Sequence, residues 1–169
     1  MSLTVFESVI PVIGRSLKAL DACLDKAQAH ADALKFDSTV LFNSRLAPDM
    51  FPLARQIQIA CDFGKSMPAR LVGIEVPKWE DNETTMADFK ARIAKTLDYA
   101  SSFSPDQFVD AASRHIEIPM RDGSKLEFNG AAYINHFGLP NLYFHLTTAY
   151  NILRHNGLEI GKRDFMGTR

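Results

Sequence analysis

The sequence predicts an all-α fold, a four-helix bundle with a small β-hairpin before the last helix. Apolar residues recur at alternating steps of three and four along several long stretches, which is the period of a helix with one buried face. Capping patterns, glycines and prolines bound those stretches. One segment instead alternates with period two on either side of Asp122-Gly123, a hairpin signal. With 169 residues, 46% of them apolar, the chain can fill the core of one domain, and a single domain over 1–169 is expected.

The first helix opens with Thr4-x-x-Glu7, the form of a capping box. It then places Phe6, Ile10, Ile13, Leu17, Leu20, Leu24 and Ala27 on one seam, fading near Leu34. Pro11 removes one backbone donor, so a bend is expected there. Pro48 and Asp49 announce the second helix, and Pro52 falls where first-turn amides have no intrahelical partner. Its seam, Met50, Ala54, Ile57, Cys61 and Gly64, is rich in small residues and predicts close approach of a neighbour, while Pro68 is expected to kink or end it. "GIEVPKWEDNE" then reads as a loop.

A third helix starts near Thr85 with Asp88 at the capping-box position. Met86, Phe89, Ile93, Leu97, Ala100 and Phe103 share one face, and Ser104-Pro105 stops the helix and begins a short extra turn. In the hairpin, Ile116, Ile118, Leu126 and Phe128 alternate with His115, Glu117, Lys125 and Glu127. From about Gly130 to Asn156 the chain is helical again, with a break at Gly138-Leu139-Pro140 and a natural stop at Gly157. The tail "LEIGKRDFMGTR" reads as irregular.

Composition excludes several functions. Nineteen basic against twenty acidic residues offer no general attraction for nucleic acid. Cys23 and Cys61 stand alone in apolar helical patterns without CxxC pairing, which argues against disulfides or a zinc knuckle and favours a reducing cytoplasm. The N-terminal stretch lacks a basic region before its apolar part and is interrupted by Glu7 and Arg15, so neither a signal peptide nor a membrane span is expected.

The candidate site follows from "PNLYFHLTTAYNILRHNG". Leu142, His145, Ala149 and Ile152 share one seam, so His145 should point into the bundle. A buried imidazole is usually paired with a neutral group, and Thr148 and Asn141 are local candidates. A second series, Leu139, Tyr143, Leu146, Tyr150 and Leu153, makes the helix apolar on an adjacent face. If nothing in the chain covers that face, a two-fold homodimer is expected to do so. On the second helix Gln56, Gln58 and Asp62 interrupt an apolar run, with Gln58 and Asp62 one turn apart beside the seam. His136, just before the Gly138-Pro140 break, could line a pocket mouth, whereas His30, His115 and His155 read as solvated. Cys61 reads as an inert buried thiol.

These stretches, with the Pro-containing first helix "VFESVIPVIGRSLKALDACLDKA" and "LARQIQIACDFGKSMPARL", resemble the DinB/YfiT-like superfamily of four-helix bundles across nearly the whole chain. The closer resemblance is to a bacterial branch of unknown function. The resemblance implies a divalent metal held by one histidine on the second helix and a His-x-x-x-His pair on the fourth, serving in some members thiol-dependent transfer or isomerisation. With Gly157 in register, Asn141 to His145 occupies that pair, so an amide replaces its first histidine. Gln58 or Asp62 stands near the histidine of the second helix. One imidazole and two amides form a poor ligand set for zinc or nickel.

The expectation is therefore a polar pocket of Gln58, Asp62, His136, Asn141 and His145, without a tightly held metal or other cofactor. The alternatives are a metal-dependent enzyme, of transferase or hydrolase type, using His145 with Asp62 or His136, and a small-molecule binding protein.

Overall fold

The computed structural model describes residues 3–120 and 122–167. Helix α1, Val5–Leu34, begins at the expected capping box: Thr4 accepts from the Glu7 amide, and the Glu7 carboxylate accepts from the Thr4 amide at 2.9 Å. Ile13, Leu17, Leu20, Leu24 and Ala27 are buried, whereas Phe6 and Ile10 at the start of the seam are half-buried. A four-residue helix, α2 (Thr39–Phe42), not anticipated from the sequence, tucks Leu41 and Phe42 into the core.

Helix α3, Leu53–Val72, runs through Pro68 and stops only at Gly73, whose positive φ closes the helix. Of the kink or end expected at Pro68, the end does not occur, because α3 is sheathed on most sides and its packing outweighs one missing donor. The small-residue seam does bring neighbours close. A Cβ on Gly64 would stand 2.8 Å from Thr96 Cγ2 and 3.2 Å from Leu17 Cδ1.

Helix α4, Met86–Ser101, carries the predicted Thr85/Asp88 capping box and buries Met86, Phe89, Ile93 and Ala100. A 3-10 turn, Pro105–Phe108, follows. Strands β1 (His115–Pro119) and β2 (Lys125–Asn129) pair antiparallel, with Ile116 opposite Phe128 and Ile118 opposite Leu126 on the inner face. The last helical region is divided into α5 (Gly130–Tyr133), a π turn (Ile134–Gly138) and α6 (Leu139–His155). The π turn falls at the expected break. There α3 passes so near that a Cβ on Gly138 would lie 2.5 Å from Met67 Sδ.

Helices α1, α3, α4 and α6 form the bundle, with α3 packed mainly against α6 and α4. The tail is not irregular: Lys162–Met166 forms a short helix, α7, lying on α1. Its Phe165 meets the Tyr150 ring edge-on at 5.8 Å, and the Tyr150 hydroxyl donates to the Ile160 carbonyl. Leu146 and Leu153 are buried, leaving Tyr143 as the exposed member of the second apolar series. Apart from Tyr143, that face is covered within the chain. No helix among the described residues is long and apolar enough to cross a membrane.

Candidate functional site

Two stripes of α3 organise the site. Gln56, Ala60, Phe63 and Met67 follow four-three-four spacing and face α6. Arg55, Ile59, Asp62, Ser66 and Arg70 follow a parallel spacing and line an open cleft of about 730 Å³. The cleft is closed on its other sides by the segment 73–84, by Ile118 of β1 and by Phe137 of the π turn.

On the first stripe, His145 is 8% exposed and in phase with buried Leu142, Ala149 and Ile152. Its Nδ1 lies 2.7 Å from Gln56 Oε1, while Gln56 Nε2 donates to the Phe51 carbonyl at 3.0 Å. The second bond fixes the amide's orientation, so Oε1 accepts and His145 Nδ1 donates, leaving the lone pair on Nε2. The Phe63 ring lies nearly parallel to the imidazole, with centroids 6.3 Å apart. Burial, with the Arg55 cation second, brings the imidazole pKa down from 6.5 to about 4. His145 therefore stands neutral and does not itself line the cleft, as Phe51, Arg55 and Phe63 do.

Gln58 and Asp62 belong to a different group. Arg92 of α4 is 4% exposed, and its guanidinium donates to Asp62 (3.1 Å), Glu83 (2.7 Å) and the Glu80 carbonyl (3.0 Å) and pairs with Asp81 at 2.9 Å. Its Nε is the one buried side-chain nitrogen or oxygen without a partner among the described residues. Desolvation opposes this buried charge, but the bonds and field of Glu83 and Asp62 prevail and hold its pKa above the ordinary value. Gln58 Nε2 donates to Glu83, and Gln58 Oε1 accepts from Arg55, which also pairs with Asp81. Lys65 pairs with Asp62 at 2.9 Å and, with Lys95, flanks the ring of Trp79 at 4.6 and 4.5 Å. The segment 73–84 is thus strapped across α3 and α4 by charge.

The five residues singled out in the sequence do not converge. Asp62 lines the cleft, Gln58 lies beneath the strap, and His145 faces Gln56. Asn141 donates to the Phe137 carbonyl at 2.7 Å, and His136 is exposed. Cys61 is fully buried, which pushes its thiol up to about 12 and makes it inert.

This donor set does not fit the metal implied by the family resemblance. Asp62 serves two cations, Gln58 has both amide atoms engaged, Asn141 offers at most its amide oxygen, and His145 offers only Nε2. Among the described residues, three His, Cys, Asp or Glu ligand atoms lie within 4.8 Å of one another only at His115, Glu117 and Glu127. That group lies on the exposed hairpin face, where Lys125 already pairs with Glu117.

The family described as a domain of unknown function (DUF1993) matches residues 5–166. The crystal structure of a DinB family member protein from Shewanella denitrificans is 46% identical. The match covers 98% of this chain and 93% of that one, with a TM-score of 0.91. No curated protein matches the chain. The residues matched and the shared architecture together place this chain in the DUF1993 family, a branch of the DinB-like four-helix bundles.

Proposed function

We propose that this chain is a small-molecule-binding bundle protein whose cleft beside His145 works without a tightly held metal. The observation that carries the reading is the commitment of the donors. At the positions where the superfamily resemblance implies ligands, Asp62 and Gln58 are held by Arg92, Lys65, Arg55 and Glu83, leaving one imidazole nitrogen and the Asn141 amide oxygen, a poor ligand pair for zinc or nickel. Freeing Asp62 for a metal would strip a carboxylate from two buried cations, Lys65 and Arg92. The cleft itself has the features of a ligand site: concave, walled by Phe63, Phe137 and Trp79, with a few convergent polar groups.

Metal analysis of protein purified without an affinity tag is expected to find zinc, nickel and iron well below one per chain, unchanged by His145→Ala. Near-stoichiometric metal that disappears with His145→Ala would overturn the reading. A single imidazole nitrogen can hold adventitious metal only weakly.

A further inference from the structure

We infer that the cleft selects an organic anion, a carboxylate or phosphomonoester carried on a flat apolar body, and that Arg70 is its anchor. This rests on the reading of the cleft as a ligand site and names the chemistry that site accepts.

Four cations line the cleft, Arg55, Lys65, Arg70 and Lys78, against one carboxylate, Asp62. Two of the four are already matched, Arg55 by Asp81 and Lys65 by Asp62. Arg70 and Lys78 form no ion pair among the described residues.

Lys78 is exposed, and a solvated lysine needs no explanation. Arg70 is different. It is half-buried near the end of α3, and Nη1 donates to the hydroxyl of fully buried Tyr133 at 3.2 Å. That neutral acceptor positions the guanidinium while using one of its five donors, and the remaining planar fork matches a carboxylate or phosphate.

Apolar surface surrounds this charge. Phe137, Ile118, Val76 and Pro77 line the same cleft, and the Phe137 ring stacks on Tyr133 with centroids 6.0 Å apart. A bare inorganic anion would leave those walls wet, and a neutral aromatic would leave the Arg70 donors to water. A ligand carrying both features satisfies both.

The probes are 1-naphthoate and 1-naphthyl phosphate as anions, 1-naphthylmethanol as the neutral counterpart, and inorganic phosphate, each titrated calorimetrically at pH 7. Both aromatic anions are expected to bind about tenfold or more tightly than the alcohol, the scale of a charge-assisted hydrogen bond. Inorganic phosphate is expected to bind far more weakly than naphthyl phosphate. Arg70→Gln should remove the preference for anions while leaving the alcohol's affinity unchanged. Arg70→Lys, which keeps the charge and loses the fork, should weaken the anions several-fold and serves if the glutamine variant does not fold.

Equal affinity for alcohol and anions would overturn the charge selection while leaving the cleft a ligand site. Anion binding indifferent to both Arg70 variants would overturn the assignment of the anchor. No binding of any aromatic probe to folded protein would overturn the cleft reading itself, and this inference with it.

Discussion

Arg92→Ala is expected to destabilise the protein by about 3 kcal/mol or more, the cost of removing one partner from a buried ion pair. The decisive contact is with Glu83, because both side chains are buried, 3% and 8% exposed. Asp62 and Asp81 are about a third exposed, so solvent screens their share and they add little. Loss of the guanidinium leaves Glu83 desolvated with only Gln58 to donate to it, and frees the Glu80 carbonyl. The strap should loosen, and Trp79, the only tryptophan of the chain, should report this as a red shift of emission before global unfolding. Urea denaturation followed by fluorescence and by circular dichroism checks both points. A loss below about 1 kcal/mol with unchanged emission would mean that the two lysines around Trp79, not Arg92, hold the segment.

Acid is the second lever, and it acts through His145. Its folded pKa of about 4 lies below the ordinary 6.5 of an exposed imidazole. The unfolded chain therefore takes up the proton first. The contribution is fully present above about pH 6.5 and is lost as pH falls toward 4. Between pH 7 and pH 4.5 the loss should be roughly 2 kcal/mol, taken as an order of magnitude. His145→Leu should flatten that slope. At pH 7 the variant itself should cost about 1 kcal/mol or more, because Gln56 Oε1 loses its donor in the core. Exposed carboxylates held low by hydrogen bonds, such as Asp88 at about 2, lose their contribution only at more acid pH. Equal slopes for wild type and His145→Leu over pH 7 to 4.5 would show that the imidazole is not the titrating group.

Much of the architecture was legible because capping and periodicity are local. Thr4/Glu7, Thr85/Asp88 and the Asp122-Gly123 alternation each act within a few residues, and each element appears where those signals stand. Pro68 misled because its effect depends on how tightly α3 is sheathed, a property of the assembled bundle. The tail misled similarly: "KRDFM" has too few apolar residues for a pattern, yet Phe165 finds Tyr150 and forms a helix by docking.

The inward phase of His145 was readable, but its partner was not. Gln56 lies eighty-nine residues away, and sequence spacing placed emphasis on Gln58 and Asp62 instead. The stripe that lines the cleft, Arg55-Ile59-Asp62-Ser66-Arg70, has helical spacing too, but it mixes charge and apolar residues and so escaped a search for apolar periodicity. Arg92 escaped for the opposite reason. It follows Phe89 by three residues on the buried side of α4, and a lone arginine there is noticed only once Asp62, Asp81 and Glu83 are seen to converge on it.

On this reading His145 is a structural imidazole held by Gln56, in a site where Asp62 and Gln58 are engaged by the protein itself. Long-range nitrogen-15 NMR of the His145 ring at pH 7, recorded with and without one equivalent of zinc, distinguishes this from a metal ligand. A neutral ring protonated at Nδ1 is expected, with Nε2 bare and its signal unmoved by zinc. A ring protonated at Nε2, or an Nε2 resonance that shifts and saturates at one zinc per chain, would contradict it.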